Sequence, residues 1–238
     1  MRELAYAHIQ RKIASRELRA GTPVSELPIA NELKISRTPT REALRQLITE
    51  GLLEELPGRG AVVARLERED IIDLYDLREA LELHAVRTLA ARTNTPEDLA
   101  ALQKVTDEML HLIHELDRLG TPVLDDEQMQ HFESSDIGFH IALLRMAGNR
   151  RSLRVVNQAR QLIRIFAMRR GGHDRVSLER IYRHHCDIVR AIALRKPEEA
   201  CAVVSAHIQE SRRERLEQYE QWERNAALDR GRVISIGG

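Results

Sequence analysis

Four residues in this chain have the types and spacing to hold a divalent metal ion: Asp136, His140, His185 and His207. Over residues 128–146 the apolar positions Met129, Phe132, Phe139 and Leu143 recur at helical spacing, and Asp136 and His140 fall on the same stripe, four residues apart. Both are therefore predicted to point inward, where an ionised carboxylate is costly unless it is paired or bound to a cation. Farther along, Ile181, His185, Ile188 and Ile192 share one face of a second helix. Ala200, Val203, Val204, His207 and Ile208 share one face of a third. A lone inward histidine is usually a satisfied core residue, but here three imidazoles and one carboxylate from three helices address one interior. That donor set suits zinc first, with nickel, manganese or iron as other candidates. His184 lies about a quarter-turn off the stripe, and His84, His111, His114 and His131 belong to no comparable set.

A second kind of chemistry sits near the N-terminus, in the stretch KISRTPTREALRQLITEGLL over residues 34–53. It reads as a helix opened by Ser36 or Thr38, with Pro39 in the first turn and Gly51 at the close. Ala43, Leu44 and Leu47 fall on one side, whereas Thr38, Arg41 and Arg45 fall on another and Arg37 stands at the entrance. Guanidinium groups on the front of a short, back-buried helix suit a DNA major groove, because their forked N–H groups bond guanine edges or phosphates. An arginine-bearing helix by itself is usually a solvated face, so the neighbouring elements decide the matter.

Those elements build a helix-turn-helix. Leu4–Leu18 reads as a first helix with Tyr6, Ile9 and Ile13 on one edge, ended by Gly21, Thr22 and Pro23. Ser25 caps a second short helix in which Ile29, Ala30 and Leu33 face its neighbours. After Gly51, Leu52–Leu56 and Ala61–Ala64 are strand candidates around the turn Pro57, Gly58, Arg59, Gly60. This hairpin is a wing, and a tip arginine, Arg59, suits the negative potential of a narrow minor groove.

The bulk properties agree with a mainly α chain of two domains. At 238 residues there is length for two modest cores, and with aromatics at 3% the interior falls to Leu, Ile, Val and Ala, which favours packed helices. Formal net charge is zero, but residues 1–66 carry an excess of three positive charges, a mild bias toward a polyanion at that end. No apolar run approaches the roughly 18 residues a bilayer span needs, and a signal-peptide core is lacking, so no membrane is expected and the cytoplasm is the expected compartment. Cys186 and Cys201 are too few for a disulfide framework.

From Leu66 the pattern stays helical to about Asn225. Ile72, Leu74, Leu77, Leu81, Ala85 and Leu89 outline one inward stripe, and Leu99, Leu102, Met109, Ile113 and Leu116 the next. Further helices are expected over residues 128–146, 151–168, 177–194 and 197–225, an all-α bundle. The expected division is a winged helix-turn-helix over 1–66, a linker over 67–72, a helical domain over 73–225 and a loose tail over 226–238.

The stretch SRTPTREALRQLITEGLLEELPGRGAVV resembles the winged helix-turn-helix of the GntR family of bacterial transcription regulators. That resemblance runs from about residue 3 to 66 and implies Arg37, Thr38 and Arg41 as operator contacts, with Arg59 at the wing tip. Ala20-Gly21 stands where the family usually has Pro-Gly, and Leu27-Pro28 where some relatives carry a polar or basic DNA contact. The four candidate ligands, as Asp-x3-His, a His ahead of Ile-x3-Ile and a His in the last helix, look like the metal pattern of the FCD ligand-binding domain of the FadR-like branch. By that resemblance the ion helps hold a small carboxylate effector. Arg78, on the expected stripe between Leu74 and Leu81, either meets such a carboxylate bidentately or pairs with Glu82 one turn on.

The expected function is an effector-responsive transcription regulator, a homodimer whose two recognition helices read a palindromic double-stranded operator. Two alternatives use the same bundle. A metalloenzyme would activate water at the ion, but no HExxH-like motif supplies a base at fixed spacing and such an enzyme leaves the winged helix unexplained. A metal sensor would treat the ion itself as the signal.

Overall fold

The computed structural model describes residues 1–15, 17–56, 60–165 and 172–235. The chain forms two compact units, divided between Glu69 and Asp70, and a stretch beginning at Gln161 clusters with the first.

In the N-terminal unit α1 (Arg2–Ala14) buries Ala5, His8, Ile9 and Ile13. It stops four residues short of the expected Leu18, because the position one turn beyond Ile13 is Glu17, which cannot extend the buried edge. A strand not expected from the sequence, β1 (Pro23–Val24), follows the turn at Gly21, where φ is +80°. Next come α2 (Glu26–Leu33) and α3 (Arg37–Thr49). The sheet is completed by β2 (Leu53–Leu56) and β3 (Gly60–Val63), antiparallel in the order β1-β3-β2. Pro23 sits on an edge strand, where its missing N–H breaks no ladder. Ser36 is the N-cap of α3, and Glu50 and Gly51 close it, Gly51 at φ +78°. Thr40, Ala43, Leu44 and Leu47 are its buried back. Arg37, Thr38, Arg41 and Arg45 are exposed along its front. The predicted tip residue Arg59 lies outside the described residues.

The C-terminal unit is helical: α4 (Arg68–Ala91), α5 (Pro96–Leu119), α6 (Asp126–Ala147), α7 (Arg150–Ile165), α8 (Arg175–Ala193) and α9 (Pro197–Ser235). Side-chain caps set several starts. Thr95 accepts from Asp98 N, Asp125 and Gln128 form a reciprocal capping box, and Asp174 accepts from Ser177 N. These caps open α6 and α8 two residues earlier than the apolar periodicity alone suggests. One core joins α5, α6 and α8 through Met109, Leu112, Ile113, Leu116, Met129, Phe132, Leu178 and Ile181.

Three expectations are corrected here. Most of the supposed 67–72 linker is the first turn of α4, which starts at Arg68. The inward stripe of α4 is Ile71, Tyr75, Arg78, Glu82, Ala85 and Leu89; Leu77 is exposed. Two charged residues thus occupy the buried face, which is why a hydrophobic count settles on the wrong phase. The supposed loose tail is helical to Ser235, since Ala226, Ala227 and Leu228 continue the helix with favourable propensity.

Candidate functional site

α6 sets Asp136 and His140 one turn apart on its inner face, and α8 and α9 bring His185 and His207 to the same point. One ligand atom from each lies within 4.8 Å of the others. His140 Nε2 is 3.1 Å from His207 Nε2. Asp136 Oδ1 is 3.7 Å from His140 Nε2, 3.5 Å from His185 Nε2 and 4.0 Å from His207 Nε2. Ligands about 2.1 Å from one ion stand roughly 3–4 Å from each other, so this spacing fits a shared ion. The set expected from the sequence therefore converges. His184 stays outside it, with Nδ1 3.9 Å from Glu210.

The surroundings fix which atoms face the centre. Glu82 Oε2 lies 2.5 Å from His140 Nδ1. A carboxylate there holds the imidazole proton on Nδ1 and leaves the Nε2 lone pair directed at the cluster, the arrangement that orients a metal-binding histidine. His185 stacks on Phe139 with ring centroids 3.9 Å apart. Neither of its ring nitrogens has a hydrogen-bond partner among the described residues, though both are buried. A buried nitrogen left so is costly, and a cation at Nε2 would satisfy it.

The electrostatics keep the donors ready. Burial brings the His185 imidazole down to about 4 against the pull of Asp136. Burial, then repulsion from His185 and His140, takes His207 well below its usual range. Both are neutral near pH 7, the state in which an imidazole can bind a metal. Burial would raise the Asp136 carboxyl, but the nearby imidazoles of His140 and His185 and the charge of Arg160 hold it well below the ordinary range. Glu82 is held low in the same way, its burial overcome by His140, Arg160 and Arg78.

Behind the ligands lies a buried charge network. Arg78, 4% exposed, pairs through Nε with Glu82 Oε1 at 3.1 Å, the ion pair that is one of its two expected uses. Arg160 of α7, also 4% exposed, donates from Nη1 to Asp136 Oδ2 at 2.9 Å, and its Nε is 3.6 Å from Glu82 Oε1. Its Nη2 has no hydrogen-bond partner among the described residues. The sequence reading missed Glu82 and Arg160 as site residues. A signal existed for Arg160, which follows Val156 by four and precedes Ile163 by three on a buried stripe.

On the other unit, Arg37 and Arg41 stand one turn apart on the exposed front of α3, and both meet the carboxylate of Glu26. Thr38 and Arg45 lie along the same surface.

Residues 2–63 match the bacterial regulatory proteins of the gntR family, and residues 73–210 match the FCD domain. The chain is 35% identical over 195 residues to the Nta operon transcriptional regulator of Aminobacter aminovorans, covering 82% of this chain and 85% of that protein. It is 31% identical over 188 residues to an HTH-type transcriptional regulator in an unstable DNA locus of Streptomyces ambofaciens, covering 79% and 73%. Among solved structures it is similar to E. coli McbR/YncC, with a TM-score of 0.69 at 18% identity over 93% of this chain and 98% of that one.

Proposed function

The chain belongs to the gntR family of bacterial regulatory proteins and carries an FCD domain, and on that footing we propose that this DNA-binding transcription regulator tunes its operator affinity to a small carboxylate held beside a metal ion. Arg37, Thr38, Arg41 and Arg45 are the proposed reading face, with Arg59 of the wing as a further contact. In this proposal two copies related by a two-fold axis set their recognition helices on a palindrome about one helical turn apart.

Asp136, His140, His185 and His207 would hold the ion, zinc by preference, in the helical unit. Bound there, the ion would supply a positive centre for an anionic ligand. The chain's own residues do the rest. Glu82 fixes the His140 tautomer, Arg160 orients Asp136, and Arg78 anchors Glu82.

The observation that carries the effector half is the buried Arg160 Nη2, a charged donor without a protein partner among the described residues. Arg78 and Arg160 balance Glu82 and Asp136, so a divalent ion leaves this interior with surplus positive charge. A carboxylate reaching the ion and Arg160 would offset that surplus and satisfy the orphan donor. The same observation favours an organic anion as the signal over the ion alone. An enzymatic role gives way to the family, whose members here are regulators. Effector coupling of this kind is typically ~1–3 kcal/mol.

The test is a thermal-shift screen of the zinc-loaded chain against small carboxylic acids. A cognate acid at 100 times its Kd adds ~2.7 kcal/mol. Its effect should vanish on chelation and in Arg160→Ala. An acid that stabilises the metal-free chain equally, or no active acid in the panel, would count against the reading.

A further inference from the structure

Glu26 opens α2, and its side chain is only 22% exposed because two arginines of α3 close over it. Its Oε1 accepts from Arg41 Nε at 2.6 Å and its Oε2 accepts from Arg41 Nη2 at 3.2 Å. The same Oε2 accepts from Arg37 Nε at 3.2 Å and lies 3.1 Å from Arg37 Nη2. Each guanidinium is thus held by the edge formed by Nε and Nη2. The opposite edge, Nη1 together with the second Nη2 proton, stays open to solvent, Arg37 and Arg41 being 63% and 49% exposed. That outer edge carries two parallel N–H donors and can span O6 and N7 of a guanine.

We propose that Glu26 is a specificity-determining residue: it grips Arg37 and Arg41 by their inner edges so that their outer edges are presented for base recognition, and its negative charge suppresses binding to phosphate alone. The inference rests on the DNA-reading role given to α3 above. Two physical consequences follow. Held guanidinium groups lose less freedom when they meet a base, which raises discrimination. A carboxylate set between two cations lowers the positive charge available to the backbone, which weakens sequence-independent attraction. A single-contact surface pair would do neither, whereas here one carboxylate engages two guanidinium groups, each through Nε and Nη2.

The experiment uses the full chain and a duplex that the wild-type chain itself enriches from a random library, with a scrambled duplex of equal length as competitor. In Glu26→Gln the scrambled duplex should bind several-fold tighter, with a salt slope steeper by roughly one as a freed arginine settles on phosphate. The enriched duplex should bind no tighter than to wild type, so the ratio between the two falls at least several-fold. The base positions at which preference relaxes should be those relaxed by Arg37→Ala or Arg41→Ala. An unchanged melting profile separates this from a folding defect, and Glu26→Asp, which keeps the charge but shortens the reach, should lose discrimination without the gain on scrambled DNA. Equal changes on both duplexes, or relaxation at other positions, would overturn the proposal. If the wild-type chain enriches no sequence, the DNA-reading role of α3 falls and Glu26 with it; if it does and Glu26→Gln discriminates as well as wild type, only the role of Glu26 falls.

Discussion

The two units use the same residue for opposite physical reasons. In the N-terminal unit Arg37 and Arg41 are 63% and 49% exposed and share one carboxylate at the surface. In the helical unit Arg78 and Arg160 are each 4% exposed and are tied to Glu82 and Asp136 in the interior. A surface pair is screened by water and salt, and the guanidinium edges it leaves in water can meet a new partner at little cost while the carboxylate keeps the others. A buried pair cannot exchange freely, because removing one partner leaves an uncompensated charge in a poorly polarisable medium. On the proposed reading the head presents its cations to DNA, and the bundle holds its cations in register around the candidate site. The difference teaches that exposure, more than residue type, decides whether an arginine recognises or positions.

The largest effect that would break this comparison is expected at Glu82. Glu82→Gln strands Arg78, takes from Arg160 one of its two carboxylates, and should cost ~3–5 kcal/mol of unfolding free energy in urea; a loss no greater than that of an exposed pair would remove the distinction. It should also lower zinc affinity ~10- to 100-fold by releasing the His140 tautomer, read by competition with a chelator. Next, His185→Ala or His207→Ala should strip the metal, with elemental analysis finding well under one ion per chain; full occupancy in both variants would remove the site. Arg41→Ala should weaken the enriched duplex by roughly 5- to 150-fold in a gel-shift titration while leaving the melting curve in place.

Acid sharpens the contrast. His185 titrates at about 4 in the folded chain against an ordinary 6.5, so the unfolded chain takes up this proton first as pH falls. The apo helical unit should therefore lose stability progressively from about pH 6.5 down to about 4. Asp136 and Glu82, held low, keep their contribution above the ordinary carboxylate values and lose it only at more acid pH. Hydrogen exchange in chelator, resolved by region, should show the amides of α6, α8 and α9 opening first across this window; equal loss in α1–α3 would contradict it. The smallest effect is expected at Lys12, whose ion pairs to Glu17 and Glu32 lie at the surface. Lys12→Ala should leave the unfolding midpoint nearly unchanged.

Much of the site was legible where charge rides on a clean apolar stripe. Met129, Phe132, Phe139 and Leu143 are all buried as their spacing demands, so Asp136 and His140 had only one direction in which to point. The same holds for His185 among Ile181, Ile188 and Ile192. α4 was misread for the converse reason: Arg78 and Glu82 occupy the inner face, and a count of leucines chose a phase that puts the exposed Leu77 inside. Arg160 escaped because α7 carries many arginines, and the carboxylates that mark it out, Asp136 and Glu82, lie on other helices.

The amino-acid order by itself determined the two-part plan, the helix-turn-helix with its wing, the face of α3 that carries Arg37, Thr38, Arg41 and Arg45, and the identity of the four metal-ligand candidates. Each of these depends on the period of one helix or on a local turn, and both are written into neighbouring residues. Only the tertiary structure decided that Glu82 sits behind His140, that Arg160 holds Asp136, that Arg78 is paired, and that Glu26 gathers two arginines. Apart from Arg78 and Glu82, one turn apart on α4, those partners lie on different elements, up to 58 residues apart in the case of Glu82 and His140. Periodicity fixes which way a side chain points but not what it meets there, and the meeting is set by how the elements pack.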